Sequence, residues 1–357
     1  MRVLVLWADD RSPNLGVRVL GAGAAALAQE AFCGSEVIHL SNGLDTAPMR
    51  VGDWHALAKE AVTGTRGLVR WLRGFDLAVD MRGGDSFADL YGLSRLWTMN
   101  LLGELVRRAG VPIVLGPQTI GPFQTRTGRL LGRRALRTAS AVLARDSLSR
   151  DYGRMLGTTP TLASDVVFGL PAPEAAEPRD VVLNVSGLLW NNNPHVDSAH
   201  YRNTVRELAE QLLGSGRRVS LLAHVLDSPS PDNDVPAVNA LADALGGQSE
   251  VIVPDGLESL RAVLGSAQVV IGSRMHACLN ALSCGTPAVP LAYSRKFTPL
   301  LADIGWPWSV DLRDTPQPVE KVLEAVASPG LAVAAKNTQK LGRQGLDTAV
   351  EVLRSVA

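Results

Sequence analysis

The sequence predicts an α/β protein of two doubly wound, Rossmann-like halves facing a cleft. Three observations carry this. Short apolar, β-branched runs alternate with helical patterns from one end of the chain to the other. The alternation stops once, at the proline-rich LPAPEAAEPRD (170–180), and then restarts. The length, 357 residues, also exceeds what one hydrophobic core usually serves.

The elements follow in order. In the first half the apolar runs RVLVLWA (2–8), EVIHL (36–40), DLAVDM (76–81), PIVLGP (112–117) and AVLAR (141–145) read as strands. Amphipathic stretches such as TMNLLGELVRRAG (98–110) lie between them. Apolar strands separated by helices imply βαβ units and a parallel sheet covered on both faces. After the proline-rich break the strands are VVLNVS (181–186), RVSLLAH (218–224), EVIVPD (250–255), QVVIGS (268–273) and PAVPLAY (287–293). Helices are expected at 199–213, 236–245, 258–265, 275–284 and roughly 336–355. Ligands in such sheets bind at the carboxyl ends of the strands, and two facing halves of this kind describe a GT-B-like architecture.

Composition narrows the function. Lys plus Arg and Asp plus Glu each number 35, so the chain lacks the basic surplus of a general nucleic-acid binder. Cys33, Cys278 and Cys284 are odd in number and have no C-x-x-C spacing, against a disulfide framework and a zinc site. The N-terminus MRVLVLWADD turns acidic too soon for a secretory segment, and no uninterrupted apolar run approaches about 18 residues. A reducing cytoplasm is the expected compartment.

Chemistry concentrates in GSRMHACLNALSCGTPAVPLAY (272–293). An apolar strand ends there and a helix begins near Ser273 or Arg274. A helix N-terminus attracts anions, Arg274 adds a planar fork for phosphate or carboxylate, and His276 can exchange a proton near neutral pH. The trio suits a small anionic ligand that must be protonated. The plainer alternative pairs Arg274 with a local carboxylate and packs His276 on the sheet.

This stretch resembles the C-terminal signature of the polysaccharide pyruvyl transferase family, S-R-x-H followed by a helix, a G-x-P and a strand. GFDLAVDMRGGDSFADLYG (74–92), GVPIVLGPQTIGPF (110–123), AVLARDSLSRDYGRMLG (141–157), SDVVFGL (164–170) and LLAHVLDSPSPDND (221–234) resemble other family segments in the same order, covering most of residues 10–300. The resemblance implies a GT-B-like fold and transfer of pyruvate from phosphoenolpyruvate to sugar hydroxyls, usually as a ketal. Phosphoenolpyruvate would be a donor substrate, with no cofactor and no metal.

Carried over by position, the resemblance assigns Arg274, His276 and Arg145 to the donor and to catalysis, with Ser273, Tyr293 and Lys296 lining the donor pocket. Residues 181–330 then form the phosphoenolpyruvate side and 1–172 the acceptor side. A linker spans 173–180, and a terminal helix within 331–357 is placed to pack back on the first half. On the acceptor side the expected contacts are Asn14, Gly16, Gly83, Gly84, Asp85 and Gln118, with His224, Asn233 and Asp234 reaching in from the second half. Each has a structural alternative. Asn14 also reads as a helix cap, RDSLSRD as a helix start at Asp146 or Ser147 beside Arg145, Asp85 as a turn cap, and Lys296 as a solvated side chain. Asp165 reads as a structural residue near the domain junction. Many members carry a third glycine where Arg82 or Asp85 stands here.

His276 is expected to protonate the donor's methylene carbon, while Arg274 and Arg145 hold its phosphate and carboxylate. The acceptor is a carbohydrate, free or lipid-linked. Two arginine-rich stretches, RGLVRWLRG (66–74) and RTGRLLGRRALR (126–137), read either as solvated helix faces or as contacts with an anionic membrane surface. Two rival readings remain: a GT-B glycosyltransferase using a nucleotide sugar, and a non-catalytic anion-binding protein on the same fold.

Overall fold

The computed structural model describes residues 1–41, 46–84 and 87–357. Asp85 therefore lies outside the described residues. The chain divides into two compact units: residues 1–10, 20–170 and 343–357 form unit 1, and residues 11–19 and 171–342 form unit 2. Two helices, Leu15–Ala31 and Leu331–Val356, each contribute residues to both.

Unit 1 holds strands β1 (Arg2–Leu6), β2 (Glu36–Leu40), β3 (Leu77–Asp80), β4 (Ile113–Gln118), β5 (Ala141–Ala144) and β6 (Thr161–Leu162), paired in the order β2-β1-β3-β4-β5-β6. Unit 2 holds β7 (Arg179–Asn184), β8 (Val219–Leu222), β9 (Glu250–Ile252), β10 (Ala267–Gly272), β11 (Ala288–Ala292) and β12 (Val310–Asp311), in the order β12-β11-β10-β7-β8-β9. Every pairing is parallel. Each strand expected from an apolar run is present; β2 keeps its expected bounds, β4, β7 and β10 are shifted by one or two residues, and the others are trimmed at their ends. Strands β6 and β12 are new, because two residues are too short to form a visible run.

Both sheets reverse their strand order once. In unit 1 the reversal lies between β1 and β3, where Leu6 pairs Asp80. In unit 2 it lies between β7 and β10, where Asn184 pairs Gly272. Helices on either side of such a point diverge and leave a crevice at the strand ends.

The strands are buried on both faces, as parallel sheets require. In unit 1, Leu4, Leu6, Ala78, Ile113 and Leu115 pack under Leu96, Met99, Leu102, Leu131 and Leu136 of helices Leu93–Arg108 and Arg126–Thr138. The intervening Val3, Val5, Leu77 and Val114 are equally buried, which period-2 alternation assigns to the opposite face. In unit 2, Val181–Leu183, Leu221, Val269–Ile271 and Val289 are all closed to solvent. Burying each such side chain contributes about 1.5–3 kcal/mol.

Candidate functional site

Unit 2 assembles its polar groups at the reversal point. Asn184 ends β7, and its side-chain Nδ2 donates to the Leu222 carbonyl (3.0 Å). Its Oδ1 accepts the backbone N–H of Arg274 (2.9 Å). One buried amide thus joins the ends of β7 and β8 to the turn after β10. Gly272 closes β10, and a Cβ there would stand 2.7 Å from Cys278 Sγ, so the turn tolerates no side chain. Ser273 is fully buried and shares a 2.8 Å hydrogen bond with the Tyr201 hydroxyl, which also accepts the Ser186 N–H (2.9 Å). Burial pushes the Tyr201 hydroxyl far above its ordinary range, so it stays protonated.

Arg274 occupies the N-cap position of helix Met275–Ser283. The helix stops at Cys284 and Gly285, whose φ of +76° is the left-handed turn a glycine allows. The guanidinium is buried and bonded on two edges. Nε and Nη2 donate to Asp234 Oδ1 (3.2 and 2.6 Å), Nη1 donates to Asp232 Oδ1 (2.7 Å), and Nη2 donates to the Asp232 carbonyl (2.6 Å). Burial alone would lower the Arg274 pKa, but Asp234 and Asp232 outweigh it and raise the pKa above the ordinary arginine range.

Asp234, expected at the acceptor, is fully buried, and its oxygens serve five donors. Oδ1 takes Gly187 N (2.7 Å) as well as two Arg274 nitrogens, and Oδ2 takes His224 N (3.0 Å) and Val225 N (2.9 Å). This geometry makes it the residue that fixes Arg274. Asn233 is likewise turned inward. Its Nδ2 donates to Asp227 Oδ1 (2.8 Å) and the Ser228 carbonyl (3.1 Å), and its Oδ1 accepts Val235 N (3.0 Å), shaping the loop before helix Val235–Ala244.

Two imidazoles join the guanidinium. His276 is half-buried in the first turn of helix Met275–Ser283. His224 follows β8, is 1% exposed, and neither ring nitrogen has a hydrogen-bond partner among the described residues. Burial, reinforced by the charges of His276 and Arg274, drops its pKa well below the ordinary imidazole range. His224 is therefore neutral, with one N–H and one lone pair unengaged.

The segment carrying Asn14 and Gly16 belongs to unit 2 and lies against these imidazoles. Asn14 pairs with Val225 in an isolated antiparallel bridge, Leu15 N donates to the His224 carbonyl (3.2 Å), and Leu226 N donates to the Pro13 carbonyl (2.8 Å). Asn14 Oδ1 accepts Gly16 N (2.9 Å), the N-cap bond of helix Leu15–Ala31. A Cβ on Gly16 would stand 3.0 Å from His276 Nδ1. Asn14 and Gly16, expected on the acceptor side with the first half of the chain, are thus neighbours of His276.

Tyr293 and Lys296 follow β11. The Tyr293 ring lies 5.2 Å from the His195 ring and 5.4 Å from Phe297. Lys296 is half-buried at the start of helix Phe297–Asp303. Partial burial lowers the His195 pKa, and the charges of Lys296 and Arg313 lower it further.

The remaining expected residues stand in unit 1. Arg145 follows β5 and is 1% exposed. Its Nε donates to Thr119 Oγ1 (3.0 Å) and its Nη1 to Asp165 Oδ2 (3.2 Å), while Nη2 has no hydrogen-bond partner among the described residues. Asp146 is the N-cap of helix Ser147–Met155, accepting Ser149 N (2.7 Å). Gln118 is fully buried at the end of β4, its Nε2 on the Asp80 carbonyl (3.3 Å). Gly83 and Gly84 adopt φ of +64° and +74° after β3, and a Cβ on Gly84 would lie 2.7 Å from Leu20 Cδ1. Arg82, where a glycine is common in the family, is buried at φ +45° and bonds Asp80 (3.1 Å) and Asn100 (3.0 Å).

Several residues that build the site escaped sequence reasoning. Asn184 carried one signal, a lone amide closing an apolar strand. Asp232, Tyr201 and His195 carried none, since their partners lie 42, 72 and 98 positions away (274 − 232; 273 − 201; 293 − 195). Among the described residues no group of three or more His, Cys, Asp or Glu is arranged to hold a metal ion, and no helix is long and apolar enough to cross a membrane.

Known proteins share this fold. Among solved structures, a Staphylococcus aureus MnaA–UDP complex superposes with a TM-score of 0.64 at 12% identity, covering 99% of this chain and 96% of that one. Anabaena HepE with UDP and glucose gives 0.60 at 11%, over 99% and 100%. The UDP-GlcNAc 2-epimerase of Methanocaldococcus jannaschii gives 0.60 at 11%, over 99% of each. Identities this low speak to the fold alone, which is GT-B-like. In sequence, the amylovoran biosynthesis protein AmsJ of Erwinia amylovora is 22% identical over 259 residues, 66% of this chain and 61% of AmsJ. The chain thus spans under two thirds of that relative's length. A family model described as polysaccharide pyruvyl transferase matches residues 33–295. That span holds Arg145, His224, Asp234, Arg274 and His276 and most of the chain, so the chain belongs to the polysaccharide pyruvyl transferase family.

Proposed function

We propose that this protein transfers pyruvate from phosphoenolpyruvate to two hydroxyls of a saccharide, free or lipid-linked, forming a cyclic ketal and releasing phosphate. The observation that carries the reading is the corner of unit 2 where His224, neutral and with both ring nitrogens unbonded, adjoins His276 and Arg274 at the sheet's reversal point. Buried polar atoms are nearly always satisfied, so an orphaned imidazole in such a corner points to a ligand that completes it.

The reaction needs one proton delivered to carbon and two removed from oxygen. In this reading His276 protonates the methylene carbon, which leaves an oxocarbenium-like centre at the neighbouring carbon. One acceptor hydroxyl adds there and loses its proton, and phosphate departs. A second hydroxyl then closes the ring and loses its own proton. Of the two hydroxyl protons, one replaces that given by His276 and the other leaves with phosphate. His224, neutral and holding one N–H and one lone pair, is suited to take a hydroxyl proton. The donor's anions fall to the helix N-terminus and to Arg274, whose Nη1 edge is opened when the partly exposed Asp232 yields its place. Arg145 brings a buried guanidinium with one terminal nitrogen unbonded.

A nucleotide-sugar transferase is the second reading, favoured by the UDP-bound structures of similar fold. Helix Met275–Ser283 carries no carboxylate with which to hold a ribose. The test measures phosphate release from phosphoenolpyruvate across a panel of sugar acceptors, with mass spectrometry of the products. Acceptor-dependent phosphate release with a pyruvyl mass gain is expected. Nucleotide release from a UDP-sugar, with phosphoenolpyruvate untouched, would replace this reading with the second.

A further inference from the structure

Unit 1 carries a surface to which the proposed reaction assigns no part. Helices Leu93–Arg108 and Arg126–Thr138 enclose a groove of about 810 Å³ lined by Trp97, Leu101 and Leu130, with Arg133 and Arg137 among its cations. Helix Arg126–Thr138 has five arginines and no acid, in a chain of zero net charge. Its inward stripe, Leu131, Ala135 and Leu136, is buried in the core. Leu130 is not part of that stripe and is 67% exposed, and Trp97 across the groove is 45% exposed. Arg126, Arg133 and Arg137 make no hydrogen bond or ion pair with any described residue. The acid lining the groove, Glu104, is already paired with Arg107 (3.1 Å) and Arg134 (2.8 Å). The other arginine-rich stretch reaches the same layer, since helix Leu68–Leu72 packs against helix Leu93–Arg108 and exposes Arg70, with Arg66 and Arg73 exposed beside it.

An exposed tryptophan and leucine set among unpaired guanidiniums match an anionic lipid bilayer. Indole and leucine enter the headgroup layer while arginines meet phosphates. The cations left without partners among the described residues on this face select an anionic surface, and the exposed apolar pair gives that surface something to bury. We propose that this face of unit 1 docks the protein on the surface of an anionic membrane. Each basic side chain near such a surface contributes several-fold in binding, screened by salt.

The test is co-sedimentation of the full chain with two vesicle types: pure phosphatidylcholine, and phosphatidylcholine with about a third phosphatidylglycerol. Binding is expected to the anionic vesicles alone and to fall at high salt. Arg133→Glu with Arg137→Glu should lower it by about tenfold or more, and Leu130→Ser by several-fold. Arg206→Glu, on the exposed face of a unit 2 helix, should leave it unchanged. Thermal melts confirm that each variant folds, and Arg133→Gln with Arg137→Gln repeats the test without introducing acids. No binding to anionic vesicles overturns the proposal. So does binding that survives the paired substitutions, or that falls equally in Arg206→Glu.

Discussion

The two units end their sheets differently at the same topological position. In unit 1 the reversal point carries Asp80, and the loop after it folds Arg82 back onto that carboxylate at 3.1 Å and onto Asn100 at 3.0 Å. Charge meets charge within the unit. In unit 2 the reversal point carries its polar group on the other strand of the pair: Asn184 ends β7, the counterpart of β1, and is a neutral group whose bonds set the direction of the next turn. Beyond it stand a guanidinium braced by two aspartates and a buried imidazole whose nitrogens are unbonded. The fold supplies both units with a crevice. The second places an arginine and two imidazoles together beyond the strand ends.

The comparison breaks first at Asp234. Asp234→Ala removes the acceptor of five donors and strands a buried guanidinium, at a cost of about 3–5 kcal/mol. Urea unfolding should show that loss, and phosphoenolpyruvate binding should weaken along with it. A variant as stable as wild type would mean that Arg274 is held by something else.

Two glycines sharpen the contrast. Gly84→Ala in unit 1 forces φ +74° on a residue with a Cβ and drives it into Leu20, a loss of about 1–3 kcal/mol visible in the unfolding midpoint. Gly16→Ala in unit 2 crowds His276 Nδ1 instead. Turnover should fall about tenfold through misplacement of the imidazole, while stability changes little. If both variants lose only stability, the two sites do not differ in kind.

His224 gives a pH signature. Its folded pKa lies below its unfolded value, so the native state holds it neutral. Its contribution to stability is full above about pH 6.5 and is lost as pH falls from there toward the depressed folded value. His224→Gln should flatten that acid limb of the stability curve. An unchanged limb would assign the acid sensitivity to other groups.

The smallest effect belongs to Asp232. It is partly exposed and competes for the Nη1 edge of Arg274. Asp232→Asn should tighten phosphoenolpyruvate binding by a few-fold, in line with the modest worth of exposed ion pairs. Weaker binding in a titration would show that Asp232 positions Arg274 rather than covers it.

Much of this was legible in the sequence. Apolar runs located the strands because both faces of a parallel sheet are buried. The turn at 273–276 was visible because a cation and an imidazole interrupt an apolar pattern at a strand end. What stayed hidden depends on pairing across the chain. Asp234 sits in a loop rich in proline and acid and reads as a solvent-facing ligand, yet it folds inward because Arg274 and three backbone N–H groups converge on it. Residues 11–19 follow β1 and read as part of the first half, but Asn14 bridges Val225 and brings them into unit 2. Neither arrangement leaves a local trace.

The most direct test of the account is His276→Ala, measured twice. Calorimetry should find phosphoenolpyruvate still bound with affinity near wild type, and single-turnover phosphate release should fall by ~10²–10⁴-fold. Near-normal release from that variant would contradict the central claim that the corner at Arg274 and His276 performs the proton transfer.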